Sequence, residues 1–248
     1  MYKNKQIIIT GGCNGIGRAI AEAFLAQGAK VSVIDIDKEA GEEFAGAFEN
    51  LCFFCGDIAE KTALESFVNS IKSPVDCVIN NACLSAGGVL SDCSYGRFEY
   101  VQKVGVTAPY YIVSLLLSRK LLAKGASIIN VSSTRAFQSQ ADTESYSAAK
   151  GGITALTHAL AVSLAGKARV NSISPGWIET GKGIKHSKED KSQHPAGRVG
   201  MPKDISETVL FLCDNEKAGF ITGQNFIIDG GMSSQMIYHG DKGWTLKN

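Results

Sequence analysis

The chain has 248 residues, 44% hydrophobic content and a formal net charge of +1. This length and composition suit a globular protein with a sizeable core. The near-neutral charge argues against a nucleic-acid partner, because binding to phosphate backbones normally requires a concentrated basic surface. No stretch approaches the roughly 20 apolar residues that span a bilayer, so we expect no membrane partner.

The first residues do not resemble an export signal. Met1 to Lys5 are polar and basic, and the apolar run that follows reaches only Ile9 before a glycine turn. That run is shorter than the apolar core of a signal peptide. We therefore expect a cytoplasmic protein in which the cysteines are reduced thiols.

Cys52 and Cys55 have the spacing of a Cys-x-x-Cys motif, but they lie in an apolar run that predicts a buried strand. Strand side chains alternate between faces, so these two thiols should point in opposite directions. There is no second Cys-x-x-Cys and no His-x-x-x-His. The sequence therefore predicts no metal site.

Short apolar runs alternate with helix-like segments along the chain. Strands are predicted at residues 6–10, 30–36, 51–56, 76–80, 127–132, 169–174 and 225–229. Helices are predicted at residues 15–27, 38–48, 62–71, 95–122, 146–165 and 202–213. Strands separated by helices indicate a mainly parallel sheet covered on both faces. We predict a single α/β domain spanning residues 1–248.

The first predicted strand ends in a glycine-rich turn that opens a helix. Gly11, Gly12, Gly15 and Gly17 follow Thr10 in this turn. Glycine lets backbone approach backbone, and a helix N-terminus offers unpaired N–H groups to a pyrophosphate. A glycine cluster alone can be a tight turn, but followed by a second strand and an acid it indicates a dinucleotide site.

That acid is Asp35, at the end of the second predicted strand. A carboxylate there can hydrogen-bond an adenosine ribose and repels a 2′-phosphate, so NAD is favoured and NADP is the alternative. Asp37 is placed to share this role. Asn14 stands at a position suited to a phosphate-binding cation and, being neutral, also favours NAD.

Polar residues also follow the third and fourth predicted strands. Asp57 follows the third, and Asn80 and Asn81 close the fourth. Open α/β sheets bind ligands at the carboxyl ends of their strands. From the residues alone, these side chains are either ligand contacts or structural turn and cap residues.

Ser133, Tyr146 and Lys150 supply the groups for moving a proton at a carbonyl or alcohol. Tyr146 and Lys150 are four residues apart in a predicted helix and therefore share a face. A free phenol, with a pKa near ~10, is a poor base at neutral pH, but a nearby ammonium favours the phenolate. Ser133 ends an apolar strand and can hydrogen-bond the same substrate oxygen.

The same Tyr-x-x-x-Lys spacing recurs at Tyr238 and Lys242, in a polar tail where Gly240 disfavours a helix. Spacing without context is therefore weak evidence. What distinguishes the first copy is the glycine turn and the acid that precede it.

Residues 176–183 come close to a phosphate-binding P-loop, but they lack the final Ser or Thr that ligates magnesium. Residues 177–200 instead predict a mobile substrate flap beside the cofactor end. Trp177 and Ile184 in this segment either contact substrate or pack on the surface. Further substrate determinants are expected after Ser133 and in the tail 232–248, which contains Tyr238 and Trp244.

Together, in this order, the motifs resemble the short-chain dehydrogenase/reductase family over nearly the whole chain. The matching residues are Thr10-Gly11-x-x-x-Gly15-x-Gly17, Asp57, Asn80-Asn81-Ala82, Ser133, Tyr146-x-x-x-Lys150, Pro175-Gly176 with Thr180, and Ile227-Ile228-Asp229-Gly230-Gly231. The resemblance implies a Rossmann-type three-layer sandwich with a seven-stranded sheet, a nicotinamide cofactor and a homodimer or homotetramer.

The resemblance also implies the roles of individual residues. Ser133 would steady the substrate oxygen, Tyr146 would exchange the proton, and Lys150 would hold the nicotinamide ribose and activate Tyr146. The residues expected to bind cofactor are Gly11, Cys13, Asn14, Gly15, Ile16, Gly17, Asp35, Ile36, Asp57, Ile58, Asn81, Ala82, Tyr146, Lys150, Pro175, Gly176, Ile178 and Thr180.

Two positions depart from the family pattern. Cys83 replaces the glycine that usually completes Asn-Asn-Ala-Gly, and Gly105 stands where the family has an asparagine that orders a water between the lysine and solvent. Our hypothesis is that the space vacated at Gly105 admits water and preserves the relay to Lys150.

The sequence thus predicts an NAD-dependent oxidoreductase that interconverts a secondary alcohol and a ketone. An NADPH-linked 3-oxoacyl or other ketone reductase is the alternative within the same class. A dinucleotide-binding sensor without catalysis is the alternative from another class, and Gly105 is the residue that motivates it.

Overall fold

The computed structural model describes residues 2–181, 184–236, 238 and 240, which form a parallel seven-stranded sheet flanked by helices. The strand order is β3-β2-β1-β4-β5-β6-β7. The strands are β1 Gln6–Thr10, β2 Lys30–Asp35, β3 Leu51–Cys55, β4 Val75–Asn80, β5 Leu122–Val131, β6 Ala168–Pro175 and β7 Asn225–Ile228. The predicted Rossmann-type α/β fold is confirmed.

Helices connect successive strands and cover both faces of the sheet. The α-helices are α1 Gly15–Ala26, α2 Lys38–Ala47, α3 Lys61–Ser70, α4 Tyr95–Gln102, α5 Ala108–Ser118, α6 Glu144–Ser163, α7 Lys188–Ser192, α8 Pro202–Cys213 and α9 Asn215–Ala218. A π-helix, Lys103–Thr107, joins α4 to α5, and 3-10 turns occupy Thr134–Ala136 and Met232–Ser234. None of the helices in the described ranges combines the length and apolar character needed to cross a membrane.

Strand β1 contributes side chains to the hydrophobic cores on both faces of the sheet. Ile8 packs in the hydrophobic cluster on one face of the sheet, whereas Ile7 and Ile9 pack in the cluster on the other. All three side chains are at most 1% exposed. Each such burial contributes about 1.5–3 kcal/mol, and a strand buried on both faces reads as a continuous apolar run.

The predictions at the sheet edge and in the long helix need correction. Strand β3 lies at the edge of the sheet, so Cys52 and Cys55 are exposed rather than buried. The helix predicted at residues 95–122 ends at Ser118 and is interrupted by the π-helix, and β5 begins at Leu122 rather than at residue 127. The short helices α7 and α9 were not predicted from the sequence.

The strand order decides where loops gather. Strands β1 and β4 are neighbours, and the chain proceeds from them toward opposite edges of the sheet. In open parallel sheets such a switch point leaves a crevice at the carboxyl ends of the strands. The loops that follow β1, β2, β4, β5 and β6 all open at this edge.

Gly105 lies in the π-helix and packs closely against α6. A Cβ added to Gly105 would lie 2.8 Å from the Cβ of Ala149 and 3.4 Å from the Sγ of Cys83. Neighbouring protein atoms therefore already fill the position that a Cβ of residue 105 would occupy. The two departures from the family pattern, Cys83 and Gly105, meet here, and the water-relay hypothesis stays a prediction.

We predict that Gly105→Ala lowers the free energy of unfolding by about 1–3 kcal/mol, because the new methyl group overpacks the contact with Ala149. Urea-induced unfolding measures this difference. Gly96→Ala in α4 is the matched control, since its Cβ would meet no atom within 4 Å. Equal stability of the two variants would show that the π-helix and α6 are not closely packed.

Candidate active site

The glycine turn after β1 adopts conformations and approaches that side chains would prevent. Gly11 has a φ of +63° and Gly15 a φ of +53°. A Cβ at Gly17 would lie 2.0 Å from the carbonyl oxygen of Gly11. The Nδ2 of Asn81 donates to that same carbonyl at 2.7 Å. The turn is therefore a tight backbone cradle tied to the end of β4.

The N-terminus of α1 keeps its N–H groups free of a side-chain cap. Asn14 is the N-cap residue, but its side chain makes no cap hydrogen bond and instead donates to the Oδ2 of Asp37 at 2.9 Å. The first turn of α1 contains no acidic residue. Uncapped N–H groups at the positive end of a helix dipole suit a phosphate.

Asp35 at the end of β2 lies beside the glycine turn. Its Oδ2 accepts the N–H of Cys13 at 3.0 Å, and its Oδ1 accepts the N–H of Asp37 at 3.1 Å. Burial, and then the nearby Asp35 carboxylate, raise the pKa of the Cys13 thiol to about 12. The Cys13 side chain belongs to the core, so any part it has in ligand binding is limited to its main chain.

The carboxylate of Asp57 is held by two bonds at the end of β3. Its Oδ1 accepts the N–H of Ala59 at 2.8 Å, and its Oδ2 accepts the hydroxyl of Tyr100 at 2.9 Å. Burial, together with the bond to Asp57, raises the pKa of Tyr100 to about 12. Tyr100 therefore remains a donor and fixes the orientation of Asp57.

The other residues predicted to bind cofactor differ in exposure. Ile36 is 66% exposed, whereas Ile58 is 6% exposed and belongs to the core. Ile16 packs partly against the core, and buried Pro175 ends β6. Ala82 donates its N–H to the Oγ1 of Thr10 at 3.2 Å. Because the side chain of Ile58 is buried, Ile58 can contact a cofactor only through its main chain.

The asparagines at the end of β4, Asn80 and Asn81, have structural partners, and a further contact of Asn81 with a ligand stays a prediction. Asn81 donates to the glycine turn, as described above. The Nδ2 of Asn80 donates to the Oδ1 of Asn130 at 2.8 Å, and the Nδ2 of Asn130 donates to the Oγ1 of Thr157 at 2.9 Å. These buried bonds join β4, β5 and α6 beneath the site.

Ser133, Tyr146 and Lys150 meet at the carboxyl end of β5. Lys150 is 4% exposed, and its Nζ donates to the carbonyl oxygen of Val131 at 2.7 Å. The same Nζ lies 5.3 Å from the centroid of the Tyr146 ring. The Oγ of Ser133 accepts the N–H of Arg135 at 3.1 Å, which leaves the hydroxyl proton of Ser133 to donate elsewhere.

This geometry supplies the elements of proton transfer at a substrate oxygen. An ammonium near a phenol favours the phenolate, which is a general base. The Ser133 hydroxyl provides a hydrogen-bond donor beside it. Within the described residues, no group of three or more His, Cys, Asp or Glu side chains could hold a metal ion.

An open cavity of about 890 Å³ adjoins Ser133 and Tyr146. Most of the residues that line it have polar side chains. The lining residues are Ser85, Ser133, Thr134, Arg135, Gln138, Ser139, Gln140, Thr143, Tyr146, Gly176, Trp177, Gln193 and Met232. Sequence reasoning placed substrate contacts after Ser133, in residues 177–200 and in the tail, but it did not single out Arg135. The sequence feature that could have identified Arg135 is its position, as a cation two residues after Ser133.

The segment predicted to be a flap contacts the glycine turn and the cavity. The Cγ2 of Thr180 lies 3.2 Å from where a Cβ of Gly15 would be, and Trp177 lines the cavity. Gly176 donates its N–H to the carbonyl of Ile228 at 3.0 Å, and Ile178 forms a β-bridge with Gly200. Both ends of the segment are therefore anchored, and its mobility stays a prediction.

Ile184 is 57% exposed and is not among the residues that line this cavity. Lys182 and Gly183 of the P-loop-like stretch lie outside the described residues, as do Lys242 and Trp244 of the tail.

An ion pair fixes the far end of the segment to α8. Arg198 donates to both carboxylate oxygens of Asp204 at 2.7 Å, and Asp204 also accepts the N–H of Met201 at 2.7 Å. The hydrogen bond from Arg198 lowers the pKa of Asp204 below its ordinary value. The pair holds the chain where it returns from the cavity.

Comparison with known proteins gives matches along nearly the whole chain. A family model described as Enoyl-(Acyl carrier protein) reductase matches residues 11–233. An uncharacterized oxidoreductase of Thermotoga maritima is 45% identical over 255 residues, which cover 96% of this chain and 99% of the relative.

Solved structures show the same similarity. An apo SCOR enzyme from Clostridium thermocellum is 47% identical, with a TM-score of 0.92 and coverage of 99% of both chains. A 3-ketoacyl-(acyl-carrier-protein) reductase from Brucella melitensis, complexed with NADH, is 28% identical, with a TM-score of 0.83 and coverage of 94% of this chain and 100% of that chain. The matches span both the glycine turn and the Ser133–Tyr146–Lys150 group.

We predict that Arg198→Gln lowers the free energy of unfolding at pH 7 by up to about 1 kcal/mol, a value limited by solvent screening. Because the pKa of Asp204 is depressed in the folded state, this stabilisation is present above the ordinary Asp value of 3.8 and is lost as the pH falls through the folded pKa. Urea unfolding of both proteins at pH 7 and pH 3 should show the difference shrinking in acid.

Lys38→Gln is the control, because it removes an exposed pair with Glu42 at 3.7 Å. We expect little change from this variant at either pH. A difference for Arg198→Gln that is independent of pH would mean that its effect comes from packing rather than from the ion pair.

Proposed function

The chain belongs to the short-chain dehydrogenase/reductase family, and on this premise we propose that it is an NAD-dependent dehydrogenase that interconverts a secondary alcohol and a ketone. The observation that carries the proposal is that Ser133 and Tyr146 line one cavity while the buried ammonium of Lys150 lies behind the Tyr146 ring. The Nζ of Lys150 is 5.3 Å from the Tyr146 ring, and Ser133 and Tyr146 both line the cavity.

In the oxidative direction, the Tyr146 phenolate takes the proton of the substrate hydroxyl. Ser133 donates a hydrogen bond to the substrate oxygen, since its own oxygen already accepts the N–H of Arg135. A bound nicotinamide would supply the acceptor for the hydride that leaves the carbinol carbon. In the reverse direction Tyr146 returns the proton to the carbonyl oxygen.

Lys150 supports Tyr146 in two ways. Its buried charge lies 5.3 Å from the centroid of the phenol ring, where it can attract negative charge that develops on the phenolic oxygen during proton transfer. An ammonium has three donors, and one of them is engaged by the carbonyl of Val131. The remaining donors suit the hydroxyl groups of a nicotinamide ribose.

The residues after β1 and β2 fit a dinucleotide. The backbone cradle at Gly17 leaves no room for a Cβ, and the uncapped start of α1 suits a diphosphate. The Asp35 carboxylate lies beside this turn and favours NAD over NADP, whose 2′-phosphate it would repel. The related Brucella melitensis reductase was solved with NADH.

The alternative within the same class is an NADPH-linked ketone or 3-oxoacyl reductase. The name of the Brucella melitensis relative favours it, and Asp35 argues against the NADPH part of it. A non-catalytic dinucleotide sensor is less well supported, because Ser133, Tyr146 and Lys150 are all present beside the cavity.

We also infer a homodimer or homotetramer in the cytoplasm. Large apolar side chains are exposed on the edge strand β7 and just before it, namely Ile227 at 47% and Phe220 at 103%. An unpaired sheet edge with apolar side chains is a common site of association.

We predict that Tyr146→Phe lowers kcat by at least about 100-fold, since general acid–base catalysis contributes roughly 10²–10⁴-fold. NAD affinity, followed by quenching of protein fluorescence, should change little. NADH absorbance across a panel of secondary alcohols measures the activity. Tyr110→Phe, at a half-exposed position on α5, is the control and should behave as wild type. Tight NAD binding by the wild type without turnover of any alcohol would favour the sensor.

We predict that Asp35→Asn shifts the ratio of NADP affinity to NAD affinity upward by at least about tenfold, because it removes the charge that repels a 2′-phosphate. The amide retains one of the two oxygens that accept the N–H groups of Cys13 and Asp37. Equilibrium binding of both cofactors measures the ratio. Asp37→Ala removes the side-chain cap of α2 and should cost about 1 kcal/mol of stability without changing the ratio. A shift only in Asp37→Ala would assign cofactor choice to Asp37.

A further inference from the structure

Among the described residues that line the cavity beside Ser133 and Tyr146, one is a cation and none is a carboxylate. The cation is Arg135. Its neighbours in the lining are hydroxyl and amide side chains, including Ser139, Gln140 and Thr143. Such a lining suits a ligand that is itself polar and rich in hydroxyl groups.

Arg135 is half-buried, and its guanidinium donates to the Oε1 of Gln140, a neutral amide. Among the described residues, no carboxylate forms an ion pair with it, whereas Arg18 pairs with Glu22 and Arg198 pairs with Asp204. A partly desolvated cation is costly unless it is paired. The cavity therefore presents an unmatched positive charge.

The nearest acidic residues along the chain are engaged elsewhere. The Oδ1 of Asp142 accepts the N–H groups of Leu90 and Ser91 at 2.9 and 3.1 Å. Glu144 packs against Gly88, at the position that a Cβ of that glycine would occupy. Arg135 is left with donors beyond the one that Gln140 engages, and a guanidinium can bind a carboxylate through two parallel hydrogen bonds.

We infer that Arg135 binds a carboxylate of the substrate, and that the substrates of this enzyme are polyhydroxylated carboxylic acids oxidised at a secondary alcohol. This inference rests on the proposed function and names its substrate class. Arg135 follows Ser133 by two residues, so one molecule can present its reacting hydroxyl to Ser133 and Tyr146 and its carboxylate to Arg135. A single guanidinium matches the single charge of a carboxylate.

The carboxylate takes no part in the bond changes. The carbinol carbon loses its hydrogen with the bonding electron pair, as a hydride for which a bound NAD⁺ would be the acceptor. The hydroxyl proton passes to Tyr146, and the carbon–oxygen bond becomes the ketone. The product is a keto acid with its carboxylate still paired with Arg135.

The test compares acids with the polyols of the same carbon skeleton. The pairs are gluconate with glucitol, galactonate with galactitol, and mannonate with mannitol. Within each pair the two compounds differ at one end, where the acid has a carboxylate and the polyol a hydroxymethyl group. We expect wild-type kcat/KM with NAD⁺ to be at least about tenfold higher for the acid of the accepted configuration. Arg135→Gln should bring this ratio close to one, mainly through the KM of the acid, and Arg135→Lys should retain part of it.

Arg97→Gln is the matched control, because Arg97 is exposed on α4 and does not line the cavity. The acid-to-polyol ratio should be the same in this variant as in wild type. The inference is overturned if kcat/KM for the polyols, or for an apolar alcohol such as 2-octanol, equals that for the acids and Arg135→Gln does not change the acid-to-polyol ratio. The proposed function would still stand in that case.

A second measurement does not depend on turnover. The melting temperature of NADH-loaded enzyme is recorded with and without each acid and polyol. A rise with an acid that is lost in Arg135→Gln but kept in Arg97→Gln supports the carboxylate site, even if no alcohol is oxidised and the proposed function fails. The absence of any acid-specific rise in wild type, together with no preference in turnover, overturns it.

Discussion

A buried ammonium holds the catalytic helix against the end of a central strand, and the geometry of the site depends on this contact. Lys150 is 4% exposed, and its Nζ donates to the carbonyl of Val131 at 2.7 Å. In the opposite direction, the Oγ of Ser132 donates to the carbonyl of Lys150 at 2.9 Å. Burying an unpartnered ammonium costs several kcal/mol, so α6 is stable in this position only while these bonds are made. They bring Tyr146 and Ser133 to the same cavity.

The other side of α6 is set by close packing rather than by hydrogen bonds. Ala149, next to Lys150, contacts the π-helix where Gly105 has no side chain, and Cys83 reaches the same point from the end of β4. A side chain at Gly105 would push α6 away and carry Lys150 with it. The glycine therefore has a steric reason that is independent of any water relay.

The two halves of the site have different physical characters. The half after β1 and β2 is built mainly from backbone, with glycines in close approach and a helix N-terminus without a side-chain cap. The half after β5 and β6 is built from side chains, which line an open polar cavity with one unmatched cation. Main-chain N–H groups are suited to binding a group that many proteins share, such as a dinucleotide phosphate. Side chains differ between proteins, so they determine which substrate a particular site binds.

Local patterns in the sequence determined the alternation of strands and helices, the glycine turn after β1, the acid after β2, and the shared helical face of Tyr146 and Lys150. Each follows from backbone geometry within a few residues, so it can be read without knowing the neighbours. Only the tertiary structure decided that Asn81 clamps Gly11, that Cys83 and Ala149 lie against Gly105, that β3 exposes Cys52 at the sheet edge, and that no carboxylate in the described part of the chain pairs with Arg135. These contacts join segments far apart in the chain, and strand order and packing, which no local pattern encodes, determine which segments meet.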